Sequence, residues 1–269
     1  MLSLFSPAGQ KRLEKVVNAK MLCVFDFDGT LSPIVAQPEQ ARLPLTIKKR
    51  LIELAGLVPV AIITGRSLDD IRPRLGFEPH YIVGNHGLEG VPGWEARRDA
   101  YELLCKEWET ALRHALHDKN NFDPGIKVEN KRYSLSVHYR LARDQDDAEK
   151  KLKMFFDKFV PSARVIAGKC VFSLVPPEAM DKGRALEQLM LLSQSASAIY
   201  VGDDVTDEDV FELARDDLMS IRVGFAKDSA AQYFLAHAGE MAQLLDDLIR
   251  RLRRICRKGG NGSQARIFA

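Results

Sequence analysis

Two aspartates one residue apart, Asp26 and Asp28, close the stretch "CVFDFDGTLSPI". Carboxylates that close repel, and each raises the other's pKa. A second acidic pair, Asp203 and Asp204, stands in "VGDDVTDED" far along the chain. Between them lie "IITGR", with Thr64, Gly65 and Arg66, and "DKG", with Lys182. Converging carboxylates of this kind suit a hard cation that takes oxygen ligands, Mg²⁺ above all. Thr64 offers a hydroxyl, Gly65 a backbone N–H at a helix start, and Lys182 a point charge, all suited to a phosphate. Together these groups describe phosphoryl transfer to a carboxylate nucleophile, with the cation offsetting the repulsion that opens the question.

Such chemistry needs elements that bring distant segments together. "KMLCVFDFDG", "VPVAIITG" and "SAIYVGDD" are short apolar runs ended by turn residues, which reads as buried strands. "PLTIKKRLIELAGL" carries Leu45, Ile47, Leu51 and Leu54 at helical spacing. "RSLDDIRPRLG" reads as a helix capped by Ser67 and stopped by Gly76. "HYIVGNHG" is a third strand, "DKGRALEQLMLLS" and "VTDEDVFELAR" are helices, the last capped by Thr206, and "SIRVGF" is a further strand. Alternating strands and helices predict an α/β fold with a parallel sheet. In such a sheet ligands bind at the carboxyl ends of the strands, where the polar clusters fall.

From "VPGWEARRD" the texture changes. "AYELLCKEWETALRHAL" and "DDAEKKLKMFFDKFV" read as amphipathic helices. "GIKVEN" and "YSLSVHYR" read as strands, and "ARVIAGKCVFSLV" as a hairpin turned at Gly168-Lys169. The expected organisation is a core over 1–98, an inserted α+β unit over 99–178, the rest of the core over 179–257, and a flexible tail over 258–269. Phe155, Phe156 and Phe159 are expected in the core of the insert, with His114 and His117 at its surface.

Lys plus Arg numbers 39 against 37 for Asp plus Glu, a net charge of +2. This balance carries no global signal for nucleic acid or an anionic membrane. The basic run "RRLRRICRK" is the one local exception; Leu244, Leu248, Leu252 and Ile255 fit packing of that helix on the core, with arginines outward. Cys23, Cys105, Cys170 and Cys256 form no CxxC pair, which argues against a zinc site or a disulfide framework. No run approaches the roughly 20 apolar residues of a membrane span, and "MLSLFSPAGQKRLEKV" has no long apolar core of the kind a secretory signal carries. The expectation is a cytoplasmic protein.

The motifs "DFDGTL", "IITGR", "DKG" and "GDDVTDED", in that order, resemble the four motifs of the haloacid dehalogenase superfamily of phosphatases. "DFDGTLSPI", "GNHGLE" and "VENKRYSLSVHYR" are similar more narrowly to the trehalose-6-phosphate phosphatases. The resemblance implies a Rossmann-like core with an α+β cap, and Asp26 as nucleophile. Asp28 would be the acid and then the base. Mg²⁺ would be held by Asp26, Asp28 through its backbone carbonyl, and Asp203, with Asp204 and Asp207 orienting the ligands or binding through waters. Thr64, Gly65, Arg66 and Lys182 would hold phosphate. His86, Glu129, Lys131, His138 and Arg140 would contact the sugar. The implied partner is a small-molecule sugar phosphate, with no nucleic acid and no membrane, and a monomer is favoured. The chain departs from the family pattern at Ser173 and Val175, where Glu and Arg usually stand, and this leaves the sugar open. A phosphatase of a different sugar or glycosyl phosphate, a sugar phosphomutase and a non-catalytic phosphosugar binder are the alternatives.

Overall fold

The computed structural model describes residues 1–35, 37–117 and 122–259. Its strands are β1 (Leu2–Ser3), β2 (Met21–Phe25), β3 (Val60–Ile63), β4 (Tyr81–Val83), β5 (Lys127–Asn130), β6 (Leu135–His138), β7 (Arg164–Gly168), β8 (Val171–Val175), β9 (Ser197–Gly202), β10 (Leu218–Val223) and β11 (Tyr233–Leu235). Its helices are α1 (Pro7–Val16), α2 (Leu45–Ala55), α3 (Leu68–Leu75), α4 (Arg98–Leu116), α5 (Gln145–Phe159), α6 (Lys182–Leu192), α7 (Glu208–Phe211) and α8 (Met241–Gly259).

Seven strands form a parallel sheet in the order β1-β11-β10-β9-β2-β3-β4. Alternation along β2 shows how both faces are filled: Met21, Cys23 and Phe25 join one apolar cluster, Leu22 and Val24 the other. The first cluster is completed from α1, α2, α3 and α8, including Leu13, Leu51, Ile71 and Leu248. The second is completed by Ala185, Leu186 and Leu189 of α6 and Val210 and Phe211 of α7. In α8, Leu244, Leu248 and Leu252 are buried as their spacing predicts.

Between β4 and α6 the chain builds a second, antiparallel sheet in the order β5-β6-β8-β7. One face, with Leu135, Val137, Phe172 and Leu174, packs against Cys105, Trp108 and Leu112 of α4 and Leu152, Phe155 and Phe156 of α5. The other face carries a row in register, Glu129, Ser136, Ser173 and Ile166.

Local corrections follow from turn and cap chemistry. Asp204, not Thr206, caps the segment after β9, in a capping box with Asp207; both residue types can cap, and Asp204 lies where the backbone is still extended. That segment is a 3-10 turn followed by the single turn of α7 rather than one helix. The hairpin of β7 and β8 pairs Gly168 with Val171, so its turn is Lys169-Cys170, with Cys170 left-handed at φ 59°. Leu45 and Phe159 are largely exposed. Ser67 caps α3 through the Asp70 N–H, and Gly76 ends it. The expected tail falls outside the described residues from 260 onward.

Candidate active site

Asp26 follows β2, Thr64 follows β3, Gly84 to His86 follow β4 and Asp203 follows β9. Because these strands are neighbours and parallel, their carboxyl ends form one edge, and the four polar segments meet there. The turn after β2 brings the backbone close to the second acidic motif. Gly29 has φ 81°, and a Cβ there would lie 2.1 Å from an Asp203 carboxylate oxygen. Only glycine fits, and Thr30 then donates its hydroxyl to Asp203 Oδ1 at 3.1 Å.

Lys182, the first residue of α6, is buried and bridges two carboxylates, Asp26 Oδ1 at 3.0 Å and Asp207 Oδ1 at 2.7 Å. Asp207 is fully buried and takes four donors. Lys182 and the Tyr200 hydroxyl share Oδ1, the latter at 2.6 Å, while the N–H groups of Asp203 and Asp204 reach Oδ2 at 2.8 and 2.9 Å. Burial works against its charge, but Lys182, Tyr200 and the Asp204 N–H keep its pKa below the usual value. Asp26 stands opposite: burial drives its pKa well above the carboxylate range, Lys182 opposes this, and Asp207, Asp203 and Asp28 add to the rise. Asp203 is pushed up to about 7 by burial and by Asp207 and Asp204.

One oxygen from each of Asp26, Asp203 and Asp207 lies within 4.8 Å of the others. Asp207 already serves four donors, so Asp26 and Asp203 are the carboxylates left to face an ion. An all-oxygen set whose members resist ionisation together fits a hard divalent cation.

Asp28, two residues on, is held by Arg66, whose Nε and one Nη donate to its two oxygens. Arg66 also pairs with Asp70 of α3, at 2.6 Å. Thr64 is buried and accepts the Arg66 N–H at 3.3 Å.

The second sheet leans on this edge through the turn after β5. Asn85 is buried with φ 48°; its amide donates to the Lys131 carbonyl at 3.3 Å and to Glu89, and its oxygen accepts from Ser134 at 2.8 Å. Lys131 Nζ donates to the Gly65 carbonyl at 3.1 Å. Glu129 and His138 bond to each other at 3.0 Å, which keeps the Glu129 pKa low. Asp26, Thr64, Gly65, His86, Lys131, Lys182, Asp203 and Asp207 are thus gathered, with Asp28 and Arg66 paired beside them. Asp204 turns its side chain to capping. Arg140 stands apart, exposed, on the Lys169 carbonyl at 3.0 Å.

Sequence reasoning did not single out Tyr200, Thr30, Asn85, Asp70 or Arg164. Tyr200 carried a signal, because a tyrosine inside a buried strand needs a partner for its hydroxyl. Asn85 sits in "VGNHG", where Asn tolerates a left-handed backbone. Asp70 carried a signal only as the residue paired with Ser67 at the cap of α3, and Arg164 carried none.

A family model described as trehalose-phosphatase matches residues 24–238. The chain is 31% identical over 267 residues to the probable trehalose-phosphate phosphatase I of Arabidopsis thaliana, covering 90% of this chain and 72% of that one. It is 34% identical over 240 residues to the trehalose-phosphate phosphatase of Mycobacterium tuberculosis, covering 85% of this chain and 61% of that one. Among solved structures, the C-terminal domain of Candida albicans trehalose-6-phosphate phosphatase superposes with a TM-score of 0.70 at 22% identity, over 93% of this chain and 98% of that one.

Proposed function

The chain belongs to the trehalose-phosphatase family, and from that premise we propose that it hydrolyses trehalose 6-phosphate to trehalose and phosphate through Asp26. The observation that carries the assignment is the buried carboxylate of Asp26, held by Lys182 at 3.0 Å and clustered with Asp203.

Asp26 attacks phosphorus, its oxygen forming the new P–O bond as the bond to the sugar oxygen breaks. Asp28 gives its proton to that leaving oxygen, then takes one from the water that releases phosphate from Asp26. Lys182 fixes the attacking side chain and offsets its charge. Arg66 keeps Asp28 beside the cleft, while Thr64 and the Gly65 N–H offer donors for phosphoryl oxygens. Mg²⁺, held by Asp26, Asp203 and the Asp28 carbonyl and supported by Asp207, would supply Lewis-acid neutralisation of phosphoryl charge. Uncatalysed hydrolysis of phosphate monoesters is slow enough that on the order of 20 kcal/mol must come from such effects.

We also propose the division into a core over 1–98 and 179–257 with a cap over 99–178, supported by the separate apolar cluster of the second sheet. In this reading Glu129, Lys131 and His138 of the cap, with His86, face the sugar, and Arg140, exposed on the Lys169 carbonyl, completes the set. A cytoplasmic setting is supported by four unpaired cysteines. No helix among the described residues is long and apolar enough to cross a membrane.

The test compares kcat/KM for trehalose 6-phosphate, sucrose 6-phosphate and glucose 6-phosphate, with Asp26→Ala and chelated enzyme as controls. Preference for trehalose 6-phosphate with loss in both controls is expected. Undiminished turnover in Asp26→Ala would overturn the mechanism, and preference for another sugar would overturn the substrate.

A further inference from the structure

Arg164 opens β7 opposite Val175 of β8. By two-residue alternation from Ile166 and Ser173, it lies on the polar side of the second sheet with Glu129 and Ser136. That side meets the core: Lys131 reaches Gly65, and Val175 and Ile166 pack with Leu88 and Ala179. The Nε and one Nη of Arg164 are buried with no hydrogen-bond partner among the described residues. Nδ1 of His86 is in the same state. Its ring lies against the phosphate-loop glycine, so close that a Cβ on Gly65 would be 2.4 Å from Cε1.

Arg164 as a whole is half-buried, but native structures rarely leave buried N–H donors such as its Nε and one Nη without an acceptor. Here two groups with unsatisfied nitrogens, one from each sheet, are near enough that the charge of one acts on the other. The local charge indicates what is missing. Lys182, Lys131 and Arg164 all act on His86, adding to the effect of burial that holds its pKa well below the usual imidazole value. Lys182 is neutralised by Asp26 and Asp207. Lys131 and Arg164 form no ion pair among the described residues, although Glu129 and Asp209 feel their fields. The second sheet therefore brings two cations, neither in an ion pair among the described residues, to a site whose substrate carries about two negative charges.

We propose that Arg164 is a phosphate-binding residue supplied by the cap, donating to the substrate's phosphoryl oxygens so that the dianion itself favours the closed cap. This rests on the phosphatase assignment and adds a ligand to it. Sugar hydroxyls are the competing source of acceptor oxygens, and the two give different kinetics.

The test measures KM for trehalose 6-phosphate and for p-nitrophenyl phosphate, and binding of inorganic phosphate by calorimetry, in wild type, Arg164→Met and Arg164→Lys. In Arg164→Met all three should weaken by about 10- to 100-fold, the size of a hydrogen bond to a charged group, with kcat within about threefold. Arg164→Lys should recover part of each and, carrying the same charge, serves if the methionine variant does not fold. Weakening confined to trehalose 6-phosphate, with phosphate binding intact, would reassign Arg164 to the sugar and overturn the proposal, as would no change in any of the three. Calorimetry needs no turnover, so a wild type inactive on trehalose 6-phosphate would sink the proposed function while phosphate binding still decided this one.

Discussion

Arg66 holds both carboxylate oxygens of Asp28, Nε at 2.6 Å from Oδ2 and one Nη at 2.7 Å from Oδ1. A two-pronged grip of this kind fixes direction as well as distance. Asp28 is thereby tied to α3, since the same guanidinium also reaches Asp70. To hand over a proton, Asp28 must free one oxygen from the fork.

Asp28→Asn should separate the two chemical steps. A nitrophenolate leaving group needs no acid, so transfer to Asp26 continues, while water activation is lost. Rapid mixing with p-nitrophenyl phosphate should show one equivalent of nitrophenol released in a burst, followed by turnover about 10²- to 10⁴-fold slower than wild type. Steady release without a burst would remove Asp28 from the second step.

Arg66→Met leaves Asp28 in place but unsteered. Turnover of trehalose 6-phosphate should fall about 10- to 100-fold, a share of the general acid contribution, while the single-turnover rate of nitrophenol release, which needs no acid, stays near that of wild type. An equal fall in nitrophenol release would assign Arg66 to the phosphate rather than to Asp28.

Lys182→Met strands two buried carboxylates. Removing one partner of a buried pair costs about 3–5 kcal/mol, or a fall in melting temperature of about 10 °C for a chain of this size. Adding Asp207→Asn to Lys182→Met should recover part of that loss, because the amide oxygen keeps the Asp203 and Asp204 N–H groups and its NH2 can donate to the Tyr200 oxygen, without a net charge. A double variant less stable than the single one would show that the charge of Asp207 is not what Lys182 offsets.

The core site was legible in the sequence because each group stands immediately after a short apolar run, and parallel strands deliver their ends to one edge. Asp207 was legible as an acid in a first helical turn and, through the resemblance, as a residue that orients the metal's ligands or binds through waters. Its role as a buried acceptor of four donors depends on Tyr200 and Lys182, which approach from other elements. Strand β1 at one edge of the sheet and its neighbour β11, of two and three residues, are too short to show any period. Arg164 reads as an ordinary strand-opening arginine until the register of β7 and β8 puts it on the sheet face that carries Glu129, Ser136 and Ser173.

Asn85→Ala should loosen the seam between the two sheets. It removes the bonds to Lys131 and Ser134, takes from Glu89 one donor while leaving it the Leu68 N–H, and puts alanine at φ 48°. A lost buried hydrogen-bond partner costs about 1–3 kcal/mol. We expect kcat/KM for trehalose 6-phosphate to fall about tenfold or more, and by less for p-nitrophenyl phosphate, which has no sugar for the cap to grip. Equal losses on both substrates would show that Asn85 supports the core edge rather than the cap.

Asp203 offers a test of the proposed Mg²⁺ site in a pH titration of stability. Its folded pKa of about 7 lies above the roughly 3.9 of an unfolded aspartate. Between those values the folded chain holds a proton that the unfolded chain has released, so this group's contribution to stability is full below about pH 4 and lost as pH rises to about 7. Other groups titrate in the same range, His86 among them with the opposite sign, so the comparison is with Asp203→Asn, which cannot ionise. In chelator, the melting temperature of wild type relative to Asp203→Asn should decline from pH 5 to pH 7.5. Millimolar Mg²⁺ should cancel the decline, because an ion that binds only the folded, ionised site takes the proton's place and stabilises by mass action. Parallel curves in chelator would mean that Asp203 is ionised without a cation, and a decline that persists with Mg²⁺ would mean that the ion does not bind there.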